Sequence, residues 1–290
     1  MIMGRRDGRL VSNLDPMHVI MPLIYPGRCD NEAYISERID LTRINEYLEK
    51  KNSEAEADEE GRVFNYTLFH LIVAAVLKTI MLRPKLNYFI ANKRLYERNE
   101  ITGAFIVKKA FSDSGAEALA ILKAEAADNI DSIYGKIKRQ VYSCRSDALD
   151  GSSAAMDIVC RLPFFLVRFV AWVCRKLDVR GKVPQAIISS DPYYASVVFS
   201  NLGSIRLRSG YHHLTNWGTN SLFCIVGEKK WRPFFEKDGS FTMRDSVDLG
   251  ITVDERLADG YYYSKSIRLL KKLLETPELL ERPFEEEVDY

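Results

Sequence analysis

The sequence is short of net charge, of histidine and of any cysteine pattern, and each shortage removes a class of function. Its 41 basic and 40 acidic residues leave a formal net charge of +1. That balance lacks the basic surplus of a nucleic-acid binder. The five cysteines, Cys29, Cys144, Cys160, Cys174 and Cys224, are scattered, odd in number and never spaced CxxC. Such usage points to reduced thiols rather than to a disulfide framework or a zinc site. There is no P-loop, GxGxxG, HExxH or internal repeat, which removes the common nucleotide and metalloprotease signatures. The opening "MIMGRRDGRLVSN" has no apolar stretch long enough for a signal segment, so a cytoplasmic protein is expected.

What is present suits a packed core. Hydrophobic residues make up 47% of 290, enough for one large domain. "ERIDLTRINEYLEKK" reads as a strand end and a short helix with Thr42 as N-cap, and the acidic 52–62 as a solvated loop. Residues 66–84 are apolar on almost every face and close at Pro84; Lys78 and Arg83 argue for a buried helix over a membrane span. "YFIANKRLYERN", "ITGAFIVKKAF" and "EALAILKAEA" read as three strands. Ile130, Ile133, Tyr134, Ile137 and Val141 recur at helical spacing. Three strand segments then fill 194–256, and a helix over "YYYSKSIRLLKKLLE" follows. This order predicts an α/β sandwich on a mixed sheet.

The segment 156–177 is unusual. Arg161, Arg168 and Arg175 recur every seven residues, near one helical stripe, and the apolar runs between them are only six residues long. A spanning helix is excluded by length. The preferred reading is a helix or helix pair packed on the body or on a neighbouring subunit. An interfacial membrane contact and a lid over an acyl-chain pocket are the alternatives.

Four segments, "RIDLTRINEYLEKK", "FHLIVAAVLKTIMLRPKLN", "FSNLGSI" and "VDERLADGYYYSKSIRLLKKLLETPELL", resemble in order and spacing the catalytic domain shared by chloramphenicol acetyltransferase and the dihydrolipoyl acyltransferases of 2-oxo acid dehydrogenase complexes. The resemblance runs from about residue 30 to 282. It implies one catalytic domain over 1–290, with an added amphipathic helical insertion at about 150–190. It implies a homotrimer with interfacial active sites, and coenzyme A or an acyl-CoA as cosubstrate without a metal. In the family a histidine deprotonates the acceptor, a serine hydrogen-bonds the oxyanion, and an aspartate supports the site through an ionic contact. By position the serine is Ser200 and the aspartate Asp259, followed by Gly260; Glu255 stands where the family has its histidine. No lipoyl domain and no Pro/Ala-rich linker accompany these segments.

A general base works best with a pKa near the working pH. Histidine at about 6.5 fits, whereas an unperturbed glutamate at about 4.3 forfeits on the order of 3 kcal/mol of proton affinity. Burial would raise Glu255 towards the useful range, and an inward-pointing Arg256 would oppose the rise. His212 and His213, in "GYHHLTNWGTN", are the alternative bases, or else ordinary turn or interface residues. His70 reads as a satisfied core histidine and His18 as a surface or interface residue. Without the resemblance, Ser200 is equally a strand-end serine, Asp259 a helix cap, and Tyr261, Tyr262 and Tyr263 packing residues. Two functions follow: CoA-dependent transfer of an acyl group to a small hydroxyl, amine or thiol acceptor, or a catalytically inactive trimeric scaffold that binds acyl-CoA.

Overall fold

A computed structural model of the chain describes residues 4–54, 63–108, 117–145 and 161–290. Their elements are β1 (Gly8–Leu10), α1 (Pro16–Ile24), β2 (Glu32–Asp40), α2 (Thr42–Ser53), α3 (Leu68–Leu82), β3 (Tyr88–Ala91), β4 (Arg94–Arg98), β5 (Ile101–Lys108), β6 (Glu117–Ala124), α4 (Ile130–Arg145), α5 (Phe164–Val179), α6 (Gln185–Ser190), β7 (Val197–Asn201), β8 (Leu222–Val226), β9 (Lys230–Phe235), β10 (Phe241–Asp254) and α7 (Gly260–Glu275). The main sheet runs β2-β10-β8-β7-β5-β6, with β9 paired to the first half of β10. It is mixed: β5–β7 and β7–β8 are parallel and the remaining pairs antiparallel. A second sheet of three short strands, β1-β4-β3, stands apart.

α3 is the central helix because it has almost no polar face. Eleven of its fifteen residues are buried, which no amphipathic surface helix tolerates. Its one interior charge, Lys78, is fully buried and donates to the carbonyls of Leu279 and Pro283, both at 2.9 Å. The ammonium thus clamps the C-terminal turn onto the core, and burial lowers its pKa. α4 places Ile130, Ile133 and Ile137 in the same core, and α7 adds Leu269, Leu270, Leu273 and Leu274. No described helix is long and apolar enough to cross a membrane.

Several sequence expectations need correction. Thr42 is the first residue of α2 rather than its cap; Asp40 accepts from both the Thr42 N–H (2.8 Å) and its hydroxyl (2.7 Å). "YFIANKRLYERN" is a hairpin, not one strand. Asn92 and Lys93 both take positive φ, which turns β3 back on β4, and the pair belongs to the smaller sheet. The helix in the arginine-striped segment begins at Phe164, and 156–160 lie outside the described residues, as do 55–62 of the acidic loop. α5 has no fully buried residue; Leu166, Val170, Val173 and Leu177 are half-buried along one face, and the opposite face is exposed. Phe164, Phe165, Phe169 and Trp172 are all more than half exposed.

Candidate active site

Ser200 is the fourth residue of β7, and its surroundings follow from where the β5–β7 ladder stops. That parallel pairing ends at Phe105↔Phe199, while β7 continues beside β8 with Ser200↔Ile225. Past Phe105 and Phe199 the two strands part, and a groove of about 340 Å³ occupies the gap. One wall is aromatic: Phe69 meets Phe105 edge-on at 5.6 Å and Phe199 at 6.2 Å. His70 and Thr67 lie on that wall; Ser200, Asn201 and Ser204 lie along the other. Alternation along β7 puts Ser200 on the sheet face opposite Phe199, so the groove joins the α3 side of the sheet to the Ser200 side. Ser200 is half-buried, and among the described residues its hydroxyl makes no hydrogen bond that would reduce it to a strand-end anchor.

His212 lies over the Ser200 face. Its ring stacks on Phe223 at 4.3 Å, and Phe223 pairs with Val198, two residues before Ser200. Ser200 is thus about 7 Å along and about 5 Å across from the residue that His212 covers. The loop that holds His212 is pressed close: a Cβ on Gly250 would lie 1.9 Å from the Gly210 carbonyl, so only glycine fits there. His212 Nδ1 is 2.8 Å from the His213 carbonyl oxygen. A carbonyl only accepts, so Nδ1 carries the proton and Nε2 keeps its lone pair. This is the tautomer a base requires. His213 is exposed and stacks on the outer side of the His212 ring at 4.5 Å.

Glu255 is elsewhere. Ser200 is level with Gly250 through Ile225, and Glu255 lies five residues beyond Gly250, just past the end of β10. That is about 17 Å along the strands and about 10 Å across them. Its side chain is exposed, and its N–H donates to the Asn31 carbonyl at 2.9 Å. The adjoining residues turn inward instead. Arg256 binds Asp254 in a two-pronged, almost fully buried pair at 2.8 and 2.6 Å, with Arg28 at 3.9 Å on the far side. Asp259 caps α7, accepting from Tyr262 N–H at 2.7 Å, and among the described residues it joins no ion pair. Of the tyrosines, Tyr263 is buried and donates to the Asp254 carbonyl, Tyr262 lies under the Arg83 guanidinium at 3.9 Å, and Tyr261 is exposed.

His70 differs from its sequence reading. At N3 of α3 its Nδ1 accepts from the Thr67 N–H at 3.0 Å and is 2.8 Å from the Thr67 hydroxyl, forming a capping box. Its Nε2 is buried with no partner among the described residues, so this core histidine is only half satisfied. Burial lowers its pKa to about 4, and the ring is neutral at pH 7. The sequence signal for this was a histidine where a capping box ordinarily has Glu or Gln. Among the described residues no group of three or more His, Cys, Asp or Glu side chains is placed to hold a metal.

The mixed sheet packed on the central apolar helix is a fold shared with acyltransferase catalytic cores. Among solved structures, the chain is similar to a probable dihydrolipoamide acetyltransferase from Listeria monocytogenes, with 16% identity, a TM-score of 0.59, and 92% of this chain and 94% of that one covered. A chloramphenicol acetyltransferase aligns at 12% identity and TM-score 0.57, covering 92% of this chain and 99% of that one. The truncated catalytic core of a 2-oxoacid dehydrogenase complex from Thermoplasma acidophilum aligns at 14% identity and TM-score 0.56, covering 93% and 99%. No family model matches the chain, and no curated protein matches it in sequence.

Proposed function

We propose that the protein is a CoA-dependent acyltransferase that acts as a homotrimer on a small hydroxyl, amine or thiol acceptor. The observation that carries the reading is the groove between the ends of β5 and β7, which joins an aromatic trough to a Ser200 hydroxyl unengaged among the described residues, on an acyltransferase fold. In this reading the acyl thioester lies along the groove and Ser200 donates a hydrogen bond to the oxyanion of the tetrahedral intermediate. His212, whose ring lies over the Ser200 face and whose Nε2 is unprotonated, takes the acceptor's proton. Glu255 is too distant from Ser200 of its own chain to serve, and would act only from a neighbouring copy. Coenzyme A released from acetyl-CoA in the presence of an acceptor panel, measured by its free thiol, tests this. His212→Ala is expected to lower transfer by about 10²-fold or more, as losing a general base does, with Glu255→Gln within a few-fold of wild type. The reverse pattern moves the base to Glu255. The exposure of Glu255 and the service of Asp259 as a helix cap favour one second reading, a trimeric acyl-CoA-binding scaffold. Tight acyl-CoA binding without turnover over the whole panel would select it.

A further inference from the structure

His70 brings to the groove a hydrogen-bond donor that its structural role does not need. A capping box at the start of α3 requires only an acceptor at N3, and a glutamate or glutamine supplies it with a flexible, solvent-reaching side chain. The imidazole supplies the acceptor through Nδ1, which receives the Thr67 N–H. A neutral ring whose Nδ1 accepts holds its proton on Nε2. That N–H is closed to solvent, has no partner among the described residues, and belongs to a residue of the groove wall that is only 4% exposed. A buried donor left unpaired is costly, so its occurrence at a cavity points to an acceptor atom of a ligand. Around it the lining is apolar: Phe64 lies 5.6 Å from the imidazole ring, and Phe69, Phe105 and Phe199 continue the wall. A ligand suited to this wall is an apolar chain with one hydrogen-bond acceptor, which describes an acyl group with its carbonyl oxygen.

We infer that His70 Nε2–H is a second donor, beside the Ser200 hydroxyl, to the carbonyl oxygen of the acyl thioester in the groove, making His70 a substrate-binding residue. This rests on the acyltransferase reading but assigns a residue and an atom to the acyl end of the substrate. His70 and His212 then divide the work by tautomer, one presenting N–H and the other a lone pair.

The test compares butanoyl-CoA with S-butyl-CoA, the thioether that lacks the carbonyl, by calorimetry on the full-length protein. The wild type is expected to bind the thioester about tenfold more tightly, near the upper range for one hydrogen bond. His70→Leu should bring the two within about twofold, and His70→Gln, which keeps both an acceptor for Thr67 and an N–H, should retain most of the preference. Because each comparison is a ratio within one variant, a general loss of stability cancels. Binding without carbonyl preference in the wild type, or a preference that survives His70→Leu, overturns this inference alone; no binding of either ligand overturns the acyltransferase reading with it. A nitrogen-15 spectrum adds a readout independent of binding. His70 should remain a neutral, Nε2-protonated ring between pH 5 and 8, and an Nδ1–H tautomer or titration near 6.5 would also overturn the inference.

Discussion

At the scale of residues, the chain separates charges that stabilise from groups left free to react. Asp254 and Arg256 are both buried, and each satisfies the other. Removing one partner leaves an uncompensated buried charge, so Asp254→Asn should lower stability by about 3–5 kcal/mol. Denaturant midpoints at unchanged slope would measure this; a shift below about 1 kcal/mol would mean that water reaches the pair. His70 sets a pH dependence of known sign. Its folded-state pKa of about 4 lies below the ordinary histidine value near 6.5. Above pH 6.5 both states are neutral and nothing changes. As pH falls from 6.5 towards 4, the unfolded chain takes up a proton that the folded chain refuses, and stability falls by up to roughly 3 kcal/mol. The loss between pH 7.5 and 4.5 should therefore be smaller in His70→Gln than in wild type, and equal losses would show that His70 is not neutral in the fold. Neither group was legible as such in sequence. Asp254 and Arg256 flank Glu255 and drew notice only as its modifiers, because the inward turn of these two side chains depends on Arg28 and Tyr25 far back in the chain.

At the scale of elements, α5 is the conspicuous surface. Phe165, Phe169 and Trp172 follow the i, i+4, i+7 spacing of one helical face and remain exposed. Its last turn is anchored where Asp178 pairs with Arg5 at 3.0 Å. A neighbouring subunit covering this face is the occupant expected of a homotrimer. Phe169→Ser with Trp172→Ser should then shift the assembly to lower mass in light scattering without loss of helical circular dichroism. Flotation with anionic vesicles should leave the protein unbound. Salt-sensitive co-migration, lost when Arg161, Arg168 and Arg175 become Glu, would assign the face to a lipid surface instead. Long elements with one dominant pattern were legible in advance: α3 from its all-round apolarity, α4 from its isoleucine spacing and α7 from its leucines. α1 was not, because its apolar residues Met17, Ile20, Leu23 and Ile24 stay exposed and Pro22 interrupts its pattern.

At the scale of the whole molecule, the separation of Glu255 from Ser200 makes assembly a functional question. Light scattering should give about three times the 33.3 kDa chain mass, and a monomer at micromolar concentration would remove any role for Glu255 at a shared site. The sequence by itself determined the fold class, since hydrophobic periodicity and the order of segments are local properties that few architectures accommodate. It also placed Ser200 at a strand end and offered Glu255, His212 and His213 as candidate bases. Only the tertiary structure decided which groups meet. The groove exists because the β5–β7 pairing stops one residue before Ser200. The tautomers of His70 and His212 depend on a Thr67 amide and a His213 carbonyl, whose directions are set by helix and loop geometry. Residue type states what a side chain is able to donate or accept; the backbone around it decides which of those capacities is already used.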